Sequence, residues 1–510
     1  MRRVSACALL VLCGSALADA SGNIENVVGS ARAWRQANER MIISELVEFV
    51  QIPNESRDKE NILKNASYIL GMMGRRGLSP RMLQVPDAAP VLYGEWLVPG
   101  ASSTYVFYAH YDGQPIADAK EWADAPFSGA VRDGSVESGG KTIAKLPDEG
   151  SLDPDWRIFG RGAADDKAGI MTILSAVSAL KASGLKPRAN LKFVFEGEEE
   201  TGSEHLDTIM TANKELLRSD GWIICDNAIH SSGRQSIMFG VRGVYAVELT
   251  VHGAIRNLHS GQFGNWAPNP AMMLAQLLAT MKDSEGRILI DGFYDSVEPL
   301  SGREKEAIAK IPNTDTQQMR ALKLGRIDGG GARLAELVNL PTLNISGLGS
   351  GKVGGQVTTI IPASATAAFD IRLVKGVTRA GTLAQLKAHI QKQGYYVTSS
   401  APTDDERLEH PRIAQLSVTA QGYEAVRTAM DSVFSRKVVN AVEAVKEDRI
   451  LIPSSGGSLP LDMIERALGV SIILVGITNP DNNQHAKNEN VRIGNLWDGI
   501  ELYSTLLMMQ

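Results

Sequence analysis

The chain has 510 residues, 44% hydrophobic and 22% charged, which is ordinary for a soluble globular protein of two or three domains. A net charge of −6, with no long basic stripe, argues against a nucleic-acid partner. The N-terminus stands apart. Arg2 and Arg3 precede an apolar stretch from Val4 to Ala18, followed by small-x-small cleavage sites. This predicts a signal peptide over 1–18, too short to span a bilayer. The expected mature protein is exported, periplasmic or secreted, with no stable membrane insertion after cleavage. Cys7 and Cys13 leave with the signal, so Cys225 stands without a disulfide partner. Asn54, Asn65 and Asn344 open glycosylation triplets, relevant in a eukaryotic host.

In chain order, residues 30–82 predict helix, with apolar spacing at Ile42, Ile43, Leu46, Val47 and Val50. From about 90 to 240, strands alternate with helices. Asp166–Ser183 and Ser203–Leu217 are the expected helices of this stretch. The alternation predicts a parallel sheet covered on both faces. Near Arg242 the pattern changes. Val244–Val251 alternates as a strand, Asn269–Lys282 reads as an apolar-faced helix, and residues 284–340 are polar and irregular. Ala365–Leu373, Ala380–Lys392 and Tyr395–Ser399 follow as strand, helix and strand. Two helices on one antiparallel sheet suggest a ferredoxin-like unit. The earlier pattern returns after 422. The predicted class is therefore α/β: a split catalytic domain with a mostly parallel sheet covered by helices, plus an inserted ferredoxin-like α+β domain. The expected division is 23–241 and 423–510 for the split domain and 242–422 for the insert.

Four apolar runs of the split domain lead into metal-ligand types of residue. Thr104–Ala109 runs into His110, Leu191–Phe195 into Glu196 and Glu198–Glu200, Trp222–Cys225 into Asp226, and Ser471–Ile477 into a loop that reaches His485. Short β-branched and aromatic runs read as buried parallel strands. Reactive groups of open α/β sheets gather beyond the carboxyl ends of such strands. The sequence thus sets two histidines and several carboxylates along one sheet edge, as a hydrolytic metal site requires.

Each segment also has a plainer reading. His110-x-Asp112 fits a ligating imidazole whose second N–H meets a carboxylate, and also an ordinary strand-end turn. Asp165 and Asp166 follow a glycine-rich passage, where acids also complement a helix N-terminus. Glu198–Glu200 crowd charge that cations would neutralise, or begin a solvated acidic helix. Asp226 and His485 are unremarkable singly. Their shared position at comparable strand ends is what favours a site.

The ordered set of segments resembles the M20 metallopeptidases, the dinuclear-zinc group of dipeptidases, carboxypeptidases and aminoacylases, with the dipeptidases closest in motif. The matching segments are HYDGQP at 110–115, GRGAADDKAG at 160–169, FEGEEETGS at 195–203, CDN at 225–227, LHSGQFG at 258–264, TTIIP at 358–362, FDIRL at 369–373, SGGSLP at 455–460 and QHAKNEN at 484–490. They span about residues 40–510.

The resemblance implies two Zn²⁺ per subunit, with Mn²⁺ or Co²⁺ as substitutes. His110 and Asp226 are then ligands of one ion, Glu200 and His485 of the other, and Asp165 bridges them across a cis Asp165–Asp166 peptide. Glu199 is the implied general base, and Asp112 the partner of His110. In the inserted lid, His259 would stabilise the oxyanion. Arg372 would bind the substrate carboxylate, with Thr359, Gly457 and Ser458 nearby. The implied reaction is amide hydrolysis of dipeptides or short peptides with a free C-terminal carboxylate, by a homodimer joined through the lid. Ser454-Ser455 stand where dipeptidase relatives often carry Arg-Glu, and the 128–157 connection is longer than usual. Deacylation of N-acyl amino acids and non-catalytic peptide binding are the alternatives at this point.

Overall fold

The computed structural model describes the backbone from residue 8 and side chains from residue 24, apart from that of Gln421. The expected signal segment, 1–18, lies outside the residues whose side chains are described. Among the described residues, no helix is long and apolar enough to cross a membrane. The chain forms two compact units. One comprises Met1–Phe239, Thr428–Ile452 and Met463–Gln510, the other Gly240–Arg427 and Pro453–Asp462. Two backbone contacts account for the difference from a boundary at 422. The Val426–Arg427 strand pairs with Gly240–Val241, and Ser455 donates its N–H to the Gly240 carbonyl.

The first unit is built on an eight-stranded sheet. At its centre Asn190–Glu196, Thr104–His110, Gly221–Ile224 and Ile472–Leu474 lie side by side, all parallel. Their side chains are buried almost throughout, which is why they read as apolar runs rather than alternating ones. Val91–Trp96 adds an antiparallel strand beside Asn190–Glu196, and Arg81–Leu83 follows it. The register sets His110 opposite Glu196, so the strand ends are level. The helix Ala168–Ala182 is buried on nearly every side, between the long N-terminal helix and Ile493–Leu507.

Local differences from the sequence reading have local causes. The expected 30–82 helix is two: one ends at Val50, and Lys59–Arg75 restarts with the Asp58 carboxylate accepting the Asn61 N–H. The Ser203–Leu217 helix breaks at Asn213, whose φ/ψ of −114°/22° leave the helical region; its side-chain amide donates to the Ile209 carbonyl. The first expected turn of Asp166–Ser183 is not α-helical. Asp165 and Asp166 have φ/ψ of −122°/87° and −132°/33°, and their peptide bond is cis. Asn54 and Asn65 are buried, so the glycosylation triplets there are closed off; Asn344 is exposed.

The second unit carries a five-stranded sheet, in the order Thr342–Gly349, Ser364–Leu373, Gly243–His252, Ile413–Tyr423, Tyr396–Thr398. The first three pairings are antiparallel and the last parallel. Burial alternates along Gly243–His252 and Ser364–Leu373, leaving one apolar face. Leu274 and Leu277 of Pro270–Ala279, with Leu386 and Ile390 of Arg379–Lys392, share one core with that face. This is the expected α+β arrangement. The stretch read as irregular contains Gly302–Lys310, a helix opened by a capping box between Ser301 and Glu304.

Candidate metal centre

Every residue expected at the metal centre lies in the first unit, and the sheet delivers most of them. His110 ends its strand, and Asp226 follows Gly221–Ile224 by two residues. Asp165 arrives on the turn that opens Ala168–Ala182. There Gly162 has φ +76°, and a Cβ on it would fall 2.4 Å from the Asn54 amide, so the turn needs glycine. His485 sits in the loop after Ile472–Leu474 with φ +59°.

Two ligand groups result: His110, Asp165 and Asp226; and Asp165, Glu200 and His485. Within each group the donor atoms lie within 4.8 Å of one another. Asp165 belongs to both. Its Oδ1 is 2.9 Å from His110 Nε2 and its Oδ2 is 2.9 Å from His485 Nε2. Asp226 Oδ2 is 3.7 Å from the same His110 nitrogen, and Glu200 Oε2 is 3.3 Å from His485 Nε2.

The donor set suits a pair of divalent cations. It is made of imidazoles and carboxylates, the ligands of zinc hydrolase sites. Asp165 Oδ2 is buried, and His485 Nε2 lies 2.9 Å from it. A buried carboxylate that turns one oxygen toward each of two imidazoles is what a shared ligand looks like.

Electrostatics point the same way. Burial alone would push the His110 imidazole down, but Asp112 and Asp165 hold it well above its usual range. Asp165 and Glu200 raise His485 to about 10. Burial, then Asp165, pushes Asp226 up to about 7. Burial also raises Glu199, opposed by His110 and reinforced by Asp226 and Glu200. Asp226 and Glu199, which resist ionisation, beside imidazoles that hold their protons form a site in which cations can replace protons.

The surrounding contacts set the orientation of these groups. His110 turns Nδ1 toward Asp112, 3.4 Å from its Oδ1, leaving Nε2 for the cluster. The other role of Asp112 was not legible in the sequence. Its two oxygens accept the backbone N–H groups of Glu199 and Glu200, at 3.1 and 3.0 Å, so one carboxylate fixes both residues. Gln114 donates to Glu200 Oε2 at 2.8 Å. Gln114 lies inside HYDGQP, and that proximity was the available signal.

The expected substrate-binding residues lie in the second unit, where they fall into two groups. His259 and Thr359 are exposed on neighbouring backbone: His259 pairs with Ile360, and Ser260 donates to the Thr359 carbonyl at 3.0 Å. His259 Nδ1 accepts the Gly261 N–H at 3.0 Å, so a neutral ring carries its hydrogen on Nε2. Arg372 and Ser458 form the other group. The guanidinium donates to both Asp370 oxygens, at 3.0 and 3.3 Å, and to Ser458 Oγ at 2.8 Å. Gly457 is exposed beside it, and its carbonyl accepts the Arg242 N–H at 3.0 Å.

The profile of Peptidase family M20/M25/M40 matches residues 106–509. The chain belongs to this family. The resemblance read from its motifs is borne out, and with it the expectation of a peptidase. Cys-Gly metallodipeptidase DUG1 of Saccharomyces cerevisiae is 26% identical over 487 residues, covering 91% of this chain and 94% of the yeast protein. Beta-Ala-His dipeptidase of Homo sapiens is 26% identical over 476 residues, covering 90% and 86%. Among solved structures, the M20 family metallo-carboxypeptidase Sso-CP2 from Sulfolobus solfataricus superposes with a TM-score of 0.74 at 28% identity, over 92% of this chain and 98% of that one. Human carnosine dipeptidase 1 shares the fold, with a TM-score of 0.68 at 22% identity over 94% of this chain and 99% of that one.

Proposed function

We propose that this M20 peptidase is a dinuclear zinc dipeptidase that cleaves dipeptides or short peptides with a free C-terminal carboxylate. The observation that carries the reading is Asp165, one carboxylate between two ligand groups, with Glu199 adjoining Glu200 on the same turn. His110, Asp165 and Asp226 would hold one cation, and Asp165, Glu200 and His485 the other. Bound there, two cations would polarise the scissile carbonyl and lower the pKa of the attacking water.

The remaining steps belong to side chains. Glu199 takes the proton of the attacking water and returns it to the leaving amine. Asp112 keeps Glu199 and Glu200 aligned through their backbone N–H groups. His259, donating from Nε2, stabilises the developing oxyanion. Arg372 grips the substrate carboxylate with a guanidinium already oriented by Asp370 and Ser458, with Thr359 and the Gly457 backbone assisting.

The test is a panel of mixed dipeptides beside N-acetyl and N-succinyl amino acids, with metal content measured on the same sample. Dipeptide turnover that disappears on chelation and returns with Zn²⁺ supports the reading. Two bound ions with turnover of acylated amino acids alone would move the assignment to deacylation. No metal and no turnover would leave a peptide-binding protein.

Arg372→Met should raise KM for dipeptides by ~10–100-fold, the value of losing a hydrogen bond to a charged group, with metal content unchanged. An unaltered KM would take Arg372 out of carboxylate recognition.

The reading includes export by the 1–18 segment to the periplasm or medium, and a homodimer joined through the second unit. N-terminal sequencing of protein recovered from its host tests the first, and an intact Met1 would sink it. Light scattering tests the second, a monomeric mass being the adverse result.

A further inference from the structure

Glu489 lies four residues after His485 in the QHAKNEN segment, and the mechanism above gives it no task. Its side chain is fully buried and belongs to neither ligand group. One oxygen accepts two backbone N–H groups, those of Ala164 and Asp165, each at 3.0 Å. The other accepts Arg161 Nη1 at 2.6 Å, and the Arg161 guanidinium lies over the Trp122 ring at 5.3 Å. The Glu489 carbonyl accepts the Gly160 N–H at 3.0 Å. Three of the four bonds end on the backbone of 160–165, the passage that presents Asp165. The adjoining Asn488 side chain accepts the Ala123 N–H at 2.8 Å, and Asn490 pairs with Phe159. The His485 loop and the Asp165 turn are therefore joined through one buried carboxylate.

We infer that Glu489 is a positioning residue that sets the spacing between the bridging carboxylate of Asp165 and the imidazole of His485, and so tunes affinity at the metal centre without touching an ion. The inference rests on the dinuclear reading above. A bridging ligand must satisfy two ions at once, so a small rotation of its backbone misplaces it for both. Asp165 sits on a five-residue turn whose interior φ/ψ are non-helical, so helical hydrogen bonding does not fix it there. Glu489 supplies the acceptor that the two N–H groups would otherwise lack. Buried N–H groups without an acceptor would drive the turn to rearrange.

The test is a Co²⁺ titration of metal-stripped protein, followed by visible absorption, for wild type, Glu489→Gln, Glu489→Ala and Arg161→Gln. Each sample is also melted without metal. Outer partners of ligating groups typically contribute ~10–100-fold to metal affinity. Glu489→Ala should weaken Co²⁺ binding by about that much. Glu489→Gln keeps one accepting oxygen but sets an amide against Arg161, and should lose affinity to a lesser degree, as should Arg161→Gln. If Glu489→Ala does not fold, Glu489→Gln decides. A purely structural role predicts a lower melting temperature of the stripped protein with Co²⁺ affinity within about twofold of wild type, and that result overturns the inference. Wild type that binds no Co²⁺ overturns the metal centre itself, and this role with it.

Discussion

Glu199→Gln should leave both ions in place and reduce kcat by ~10²–10⁴-fold, the usual contribution of a positioned general base. Glu199 belongs to neither ligand group, so its replacement removes no metal donor. The substitution is nearly isosteric. It leaves the backbone N–H that Asp112 accepts at 3.1 Å, and the same carboxylate still holds Glu200 at 3.0 Å. What changes is that an amide cannot take a proton from water. The expected signature is therefore specific: unchanged metal content, unchanged melting temperature, little change in KM, and a large fall in kcat. Turnover within a few-fold of wild type would remove Glu199 from that role. Lost metal would mean that it acts as a ligand.

The sequence located the centre through the strands rather than through any single motif. Thr104–His110, Asn190–Glu196 and Gly221–Ile224 are buried on both faces, so each appears as a mostly apolar run, Lys192 apart, that leads to a polar residue at or just beyond its carboxyl end. Parallel pairing then makes those ends level, which is how residues as far apart as His110 and Asp226 meet. The sheet of the second unit was legible for a different reason. Gly243–His252 and Ser364–Leu373 cover one face only and alternate strictly.

What stayed hidden lacks periodicity. Ala130–Arg132, Arg157–Phe159 and Asn490–Arg492 pair into a small sheet within the first unit that includes part of the long 128–157 connection. Three residues are too few to show a period. Thr342–Gly349 is an edge strand, mostly exposed, with a register shift near Gly347, so no apolar alternation marks it. Glu489 lies inside the QHAKNEN segment, yet its partners are the Arg161 guanidinium and two backbone N–H groups, all more than 300 residues away in sequence. Side-chain spacing carries no record of a backbone partner.

Asp165→Asn and His485→Ala should separate the shared ligand from an unshared one. Asp165 contributes one oxygen toward each imidazole, 2.9 Å on either side. An asparagine keeps the shape, but it loses the charge and offers an N–H₂ where a lone pair is needed. His110 and Asp226 would then be left as one pair, and Glu200 and His485 as another, each short of the three protein ligands usual at a catalytic zinc. The expected result is loss of both ions against a chelator level that wild type withstands, with turnover falling below detection. His485→Ala removes one member of one group and leaves His110, Asp165 and Asp226 intact. It should lose about one equivalent of metal while the other remains. Parallel metal analysis of the two variants, each shown to be folded by circular dichroism, checks the pattern. Two retained ions in Asp165→Asn, or equal losses in both variants, would mean that the carboxylate is not shared and that the centre is not dinuclear in the way its geometry suggests.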